Sequence, residues 1–418
     1  MANVTTPQPT PTAEPSGTLL LSALVRRTAL DSAGQELGRL SDVIVRLHDD
    51  HYPAVTGLVA HIGGRELFVP ASEILAWDNQ RLELASARLD LRPFERRPGE
   101  VLLRGDVLGH RLVDVEQSRL VTAHDVHLTR LGDGWVATAV DIHPRGLLRH
   151  RNEHTWRDWS SVEALIGHDI SLPSRSRLGG LRRLKPAQLA DLIEEASERE
   201  QHELLSRVHA HPDLEADVFE ELDEDQASDL LEARPDQQIA DVLAHMRSDD
   251  AADALLDLPQ ERRQSVLDLL PQLQRHKITI LLGYQEATAG GLMSVDYLSV
   301  PIASTAADTI RAIAEATDMQ PEALVVAFCH DQDQRLAGAI SLVALVQSAP
   351  ATTMETLAEP NPVHVHADAD INEVTRAMAD YNLLVLPVLD RDDHQIGVLT
   401  IDDILEAAIA PERRRGQA

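Results

Sequence analysis

Three rhythms of apolar and polar residues follow one another along the chain. Between Thr18 and about Leu172, short alternating runs are broken by Gly, Asp and Asn turns, as in VIVRLHDDHYPAVTGLVAHIGGRELFVP, the period-two signature of half-buried strands. A second copy of this pattern lies at an offset of roughly 82 residues: LLLSALV returns as VLLRGDV, and SDVIVRL returns as AHDVHLTRL. Two small β-barrels are predicted, over residues 18–95 and 98–172. From Lys185 the period changes. An acid followed by two apolar residues recurs at Asp191, Glu203, Asp217, Asp229, Asp241 and Asp253, and Ser265 closes the series; every step is 12 residues except one of 14. Twelve residues hold a helix of about nine plus a tight turn, and Pro235, Pro259 and Pro271 fall where those turns belong. Helices so short do not stand alone in water, so residues 185–283 should stack into an all-α superhelix with a shared apolar stripe. The repeated acid reads as a helix-surface residue favouring the N-terminal turn.

A second duplication, offset by 59 residues, fills the stretch from Leu298 to Ala410: LVVAFCHDQDQRLAGAISLVALV from Leu324 aligns with LLVLPVLDRDDHQIGVLTIDDIL from Leu383. Each half reads strand, Asp-rich turn, strand, helix, and TIRAIAEA or INEVTRAMA stands in front, giving the order β-α-β-β-α. The junction EATAGGLM, Glu286 to Met293, connects this region to the helical repeat. Its Gly290-Gly291 pair is no phosphate loop, because no GK[ST] follows, and it reads as a hinge.

Composition narrows the function classes. At 418 residues the chain exceeds one ordinary domain, and with aromatics at 3% its cores must be built from Leu, Val, Ile and Ala. The single cysteine, Cys329 in LVVAFC, excludes an intrachain disulfide, fits a reducing, cytoplasmic compartment and reads as a buried bystander. No apolar run approaches the ~18 residues needed to span a bilayer, so no direct membrane insertion is expected. LLLSALV lacks a preceding basic run, meets Arg26 and Arg27, and reads as a strand and not a signal segment. A formal charge of -30 argues against nucleic-acid binding and favours cations or basic partners. The Pro- and Thr-rich residues 1–17 form a leader, the Gly- and Arg-rich residues 173–184 a linker, and residues 411–418 a tail. No nucleophile-base-acid constellation stands out, so the chain is not expected to be an enzyme. His364 with His366, and His124 with His127, lack a third ligand and read as surface residues.

Family resemblances sharpen this picture. The alternating copies resemble PRC-barrels through a GxLxDV-like strand (Gly38, Leu40, Asp42, Val43) and the closing segments FVPASEIL and WSSVEALIG, which implies docking modules and no particular reaction. The acidic repeat, the AGGLM junction and the duplicated modules resemble the cytosolic half of the MgtE magnesium channels. That resemblance implies a multidomain α+β chain: tandem PRC-like barrels, an MgtE N-type helical domain, and an α/β CBS pair over 286–348 and 351–410. In the family, five membrane helices follow; this sequence stops after PERRRGQA, so a magnesium-responsive regulator of a separate membrane protein is expected.

The resemblance also implies a metal site, with Mg2+ bridging acids of the helical domain and acids of the CBS pair. SDDAADAL supplies Asp249 and Asp253, four residues apart; counting back along the repeat reaches Asp217, where the family has glutamate. TIDDILE supplies Asp403 and Glu406, the latter where the family has aspartate, and Asn382 offers a carbonyl where the family has an acid. CBS pairs commonly dimerise and hold adenosine nucleotides through a Ser or Thr and an Asp three residues on. Thr400 and Asp403 satisfy that spacing, whereas Ser341 and Ala344 lack the acid, so one nucleotide per pair is the expectation. Asp403 is thus claimed by both ligands. The rival function is a nucleotide-sensing CBS scaffold that docks a protein partner, with metal incidental.

Overall fold

Alternation makes the first third of the chain a sheet, but the two copies are not two closed barrels. The computed structural model describes residues 18–25, 27–47, 52–77, 82–85, 94–97, 99–132, 134–143, 154–165, 178–285, 287–317, 319, 321–405 and 407. The leader, the first residues of the linker, Glu406 and the tail lie outside them. Contacts divide the chain after Leu222 into two compact units.

In the first unit, copy one supplies β1 (Thr18–Leu20), β2 (Thr28–Leu30), β3 (Glu36–Arg46), β4 (Ala54–Ile62), β5 (Arg65–Pro70), β6 (Ile74–Trp77) and β7 (Leu82–Leu84). Copy two supplies β8 (Glu100–Leu102), β9 (Arg111–Asp114), β10 (Arg119–Thr122), β11 (Asp125–Leu131), β12 (Gly134–Asp141), β13 (Trp156–Asp158) and β14 (Val162–Ala164). The opening strands are exchanged. β1 pairs antiparallel with β11 of the other copy, Leu19 opposite Leu128, and β8 pairs with β3, Val101 opposite Val45. A bridge between Val136 and Ala54 joins β12 to β4, so the strands of both copies run in one curled sheet, with β10, β9 and β14 in a smaller one. A single apolar core contains Leu19, Leu21, Val43 and Leu58 together with Val101, Leu103, Val126 and Leu128.

Local chemistry fixes the exchange. In LLLSALV only the first residues are strand; Leu21–Leu24 turn helically, as Leu103–Val107 do in copy two. Each turn leaves amide donors without a strand partner, and each is capped by the aspartate of the other copy's Asp-Val strand. Asp42 accepts from the backbone N–H of Val43 and Arg104, both at 2.7 Å, and of Gly105 at 2.9 Å. Asp125 accepts from Val126 N–H at 2.8 Å, from Ser22 N–H at 3.0 Å and from the Ser22 hydroxyl. Gly38, in the same strand as Asp42, is required by close approach: a Cβ there would lie 2.3 Å from the His61 carbonyl oxygen.

The unit continues into the helical repeat. Residues Gly179–Arg183 of the Gly- and Arg-rich segment form a 3-10 turn with Leu181 buried, and Gly180 N–H donates to Glu163 of β14. Helices α1 (Pro186–Glu194), α2 (Glu198–Val208) and α3 (Pro212–Glu221) follow. Arg207, 4% exposed, sits between Glu203 and Glu163 at 3.2 and 2.6 Å and donates to the Ala164 carbonyl, tying α2 to the sheet.

The second unit holds α4 (Glu224–Glu232), α5 (Asp236–Leu243), α6 (Ser248–Asp257), α7 (Gln260–Leu269) and α8 (Gln272–Leu281). Helix starts repeat the 12-residue spacing, and Pro235, Pro259 and Pro271 occupy N-cap positions. Here α4 packs on α6, α5 on α7 and α6 on α8, so apolar stripes are shared between next-but-one helices. The repeated acid is not in the first helical turn. It is the sixth residue of each helix, beyond the reach of the N-terminal dipole, and it is exposed at Asp191, Asp229, Asp241 and Asp253 because it lies opposite the buried stripe. Glu203 departs from this rule, being buried beside Arg207.

Each later module has the expected order. The first comprises β15 (Ser299–Pro301), α9 (Ala306–Glu315), β16 (Val326–His330) and β17 (Leu336–Ser341), with β18 (Glu359–Pro360) added at the edge. The second comprises β19 (Val365–His366), α10 (Ile371–Tyr381), β20 (Val385–Leu389) and β21 (Gln395–Thr400), then helical residues 401–405. In both, the first strand is parallel to the second and the third antiparallel to it. Their Asp-rich turns are built alike: Asp331 accepts from Asp333 and Arg335 N–H, and Asp390 from Asp392 and His394 N–H. Cys329 is buried in the first module, and burial pushes its thiol up to about 11.

The Gly290-Gly291 junction is a packed joint where a hinge was expected. Ala289 and Gly290 N–H donate to the carbonyls of Ala369 and Ala367, and a Cβ on Gly290 would lie 2.5 Å from the Tyr284 ring. Close packing, not freedom of motion, accounts for that glycine.

Candidate functional site

Helix α6 brings its first turn against the second module. The sequence MRSDDAAD places Arg247 at the N-cap, Ser248, Asp249 and Asp250 in the first turn, and Asp253 one turn on. Carboxylates at a helix N-terminus are favoured by its exposed N–H groups. From the opposite side, Thr400 ends β21 and begins the helical residues Ile401 to Leu405, which carry Asp402 and Asp403.

The Arg247 guanidinium spans the seam. Its Nε lies 2.6 Å from Asp250 Oδ2, and its Nη1 lies 3.0 Å from Asp403 Oδ1 and 3.8 Å from Asp402 Oδ2. The other oxygen of Asp403 accepts from Thr400, at 2.9 Å from the amide and 2.6 Å from the hydroxyl. The same hydroxyl is 2.8 Å from Asp402 Oδ1, and its one proton cannot serve both carboxylates. Burial raises the pKa of Asp403 against the opposing pull of Thr400 and Arg247. A second cation crosses nearby: Lys277 Nζ of α8 lies 2.5 Å from Asp296 Oδ1, and Ser248 Oγ lies 3.3 Å from Asp296 Oδ2.

Asp249 is the unusual member. It is 7% exposed, and among the described residues its buried Oδ1 has no hydrogen-bond partner. Burial, then the charges of Asp250 and Asp403, push its carboxyl up to about 8. The Arg247 charge offsets this only in part, and a buried carboxylate so placed holds a proton or takes a cation.

Of the residues read from the sequence as metal ligands, Asp249 and Asp403 therefore come within electrostatic reach of one another. Asp253 is exposed on the next turn of α6, Asp217 is partly buried on α3 in the other unit, and Glu406 lies outside the described residues. Asn382 closes α10 in the left-handed conformation, φ 52° and ψ 46°, a C-cap role that suits asparagine. Thr400 and Asp403 are hydrogen-bonded as a pair, while Ser341 Oγ accepts from Ala344 N–H as a helix cap. The buried Asp249 oxygen and the Asp403 carboxylate are the hard oxygen donors that a divalent cation takes, although the Arg247 guanidinium already occupies one oxygen of Asp403. Sequence reasoning missed Arg247, Lys277 and Asp296. Arg247 carried a readable signal, being the basic residue in the acidic stretch between Arg234 and Arg262.

Among the described residues, the acid and histidine side chains that lie within 4.8 Å of one another as a possible metal group are Asp390, Asp392 and His394, but the turn already uses Asp390 as its backbone acceptor. No helix among the described residues is long and apolar enough to cross a membrane.

Comparison with known proteins agrees with the architecture from the helical repeat onward. Residues 184–287 match the MgtE intracellular N domain, and residues 354–410 match the CBS domain. The magnesium transporter MgtE of Thermus thermophilus is 35% identical over 130 residues, and that of Enterococcus faecalis is 33% identical over 130. These alignments cover 31% of this chain and 29% and 28% of the relatives, so the chain spans under a third of the curated proteins it matches. The crystal structure of the cytosolic domain of the Mg2+ channel MgtE in complex with ATP is 30% identical, with a TM-score of 0.51, covering 54% of this chain and 92% of that one. The soluble part of a magnesium transporter gives 27% identity and a TM-score of 0.52, covering 56% and 91%. With a helical repeat, a junction and a CBS pair that together match nearly the whole of such cytosolic domains, the chain belongs to the MgtE family through that region.

Proposed function

We propose that the chain is a non-enzymatic, cytoplasmic magnesium-responsive regulator, in which Mg2+ is held at the seam between the helical repeat and the second CBS module. The observation that carries this reading is the buried Asp249 oxygen without a hydrogen-bond partner, facing the charge of Asp403. Asp249 and Asp403 would supply the inner carboxylates, with Asp253 on the next turn of α6 as the further acid within the same unit. The curled sheet serves as a PRC-barrel-type docking module for a protein partner. Isothermal titration with Mg2+, ATP and AMP tests the reading. Mg2+ should bind and raise the melting temperature, since ligand at ~100 times its dissociation constant adds about 2.7 kcal/mol per site. Binding of nucleotide with no response to Mg2+ would overturn it in favour of the scaffold reading. That rival is supported by the Thr400–Asp403 pair and by the ATP bound to the related cytosolic domain.

The regulator is further proposed to be a homodimer through its CBS pair. Val343, Val346, Tyr381, Leu384 and Leu405 are large apolar residues left 53–67% exposed in the two modules, and Val346 and Leu405 are equivalent across the 59-residue offset. Equivalent exposed apolar positions in two duplicated modules are where a self-complementary association surface would form. Val346→Glu combined with Leu405→Glu should convert the dimer to monomer in sedimentation equilibrium with an unchanged circular-dichroism spectrum. A monomeric wild type at micromolar concentration counts against the dimer.

A further inference from the structure

The acids at the seam face cations of the chain itself. If the metal reading depended on bare carboxylates repelling across the gap, α6 and the second module would present like charges only. Instead, Arg247 contacts Asp250 of its own helix and Asp403 and Asp402 opposite, and Lys277 makes the same kind of crossing to Asp296. The Arg247 side chain is 18% exposed and that of Asp403 9%, so their attraction is screened less than that of a surface pair. The guanidinium reaches Asp403 at the oxygen that Thr400 leaves available, so both oxygens of that carboxylate are engaged.

We propose that Arg247 is a built-in counter-ion that keeps α6 docked on the second CBS module without metal, and that a divalent cation acts by displacing its guanidinium from Asp403. This regulation rests on the magnesium reading of the same site. The arginine sets the resting state. Its charge cancels part of the repulsion among Asp249, Asp250, Asp402 and Asp403, which lie near it on both sides of the seam among the described residues. A metal ion entering beside Asp249 meets that positive charge first, which makes the seam a weak, competitive sensor rather than a simple bridge.

Hydrogen-deuterium exchange on the full chain tests the proposal with wild type, Arg247→Gln and Arg247→Lys. Without metal, the wild type should protect residues 248–257 and 398–405, the Gln variant should lose at least about tenfold of that protection, and the Lys variant should regain most of it. Added MgCl2 should restore protection in the Gln variant. A Gln variant as protected as wild type in metal-free buffer overturns the latch, whatever magnesium does. If that variant opens and MgCl2 fails to close it, the latch stands and the magnesium reading falls. Unchanged exchange over the curled sheet, residues 36–62, controls for general unfolding.

Discussion

Replacing Asp42 with alanine should destabilise the N-terminal sheet by about 3 kcal/mol, because a buried donor left without its acceptor costs about 1–3 kcal/mol and three are at stake. The acceptor lost serves Val43, Arg104 and Gly105, two of them in the other copy. Burial holds the Asp42 carboxyl near 6, so removing it also returns some desolvation energy, which keeps the expected loss below the sum of three donors. Asp42→Asn retains one acceptor oxygen and should cost only about 1 kcal/mol. Urea unfolding followed by tryptophan fluorescence reads this directly, since Trp77, Trp135, Trp156 and Trp159 all lie in the sheet unit. An alanine variant within 0.5 kcal/mol of wild type, roughly the range of neutral surface changes, would show that the cap does not hold the exchanged strand.

Asp249→Asn should act in the opposite direction. Burial, with help from Asp250 and Asp403, raises the Asp249 pKa from 3.8 to about 8. The folded state therefore binds the proton more tightly than the unfolded state. Its contribution is fully present below about pH 4 and is lost as pH rises through 8. In metal-free buffer the wild type should lose stability across that window while the Asn variant stays flat, ending about 1–3 kcal/mol more stable at pH 8.5. Melting curves from pH 4.5 to 8.5 give the comparison, and parallel profiles for the two proteins would remove Asp249 as a strained group. MgCl2 should narrow the gap at high pH by stabilising the wild type alone.

What could be read from the sequence depended on how far apart the interacting residues lie. The 12-residue beat from Asp191 to Ser265 is local, and it reproduced helix starts, proline caps and the longer step before α3. The β-α-β-β-α order was equally legible, because strand alternation and the Asp-rich turns lie within each module. Pairing across copies was not. LLLSALV and VLLRGDV carry nearly the same apolar pattern, and Asp42 and Asp125 offer nearly the same acceptor, so nothing in the pattern distinguishes a self-contained barrel from an exchanged one. Gly290 illustrates a different limit: flexibility and close packing both select glycine, and only Tyr284 in place decides between them. Asp249 and Asp403 are legible through the family resemblance, whereas Arg247 lies 156 residues from its partner in a segment dominated by acids.

The exchanged sheet also constrains how the chain can be made. Thr18 must wait for Thr129, 111 residues later, and the Val45 edge of β3 must wait for Val101. At about 5–20 residues per second of synthesis, the apolar β1 segment is unprotected for roughly 5 to 20 seconds behind the ribosome. During that interval its nearest available mate is a β11 on a neighbouring nascent chain of the same polysome. Production yield should therefore respond to translation speed and chaperone supply more than the stability of the finished protein would suggest, and a misassembled product would be an intermolecular strand exchange that copies the native one.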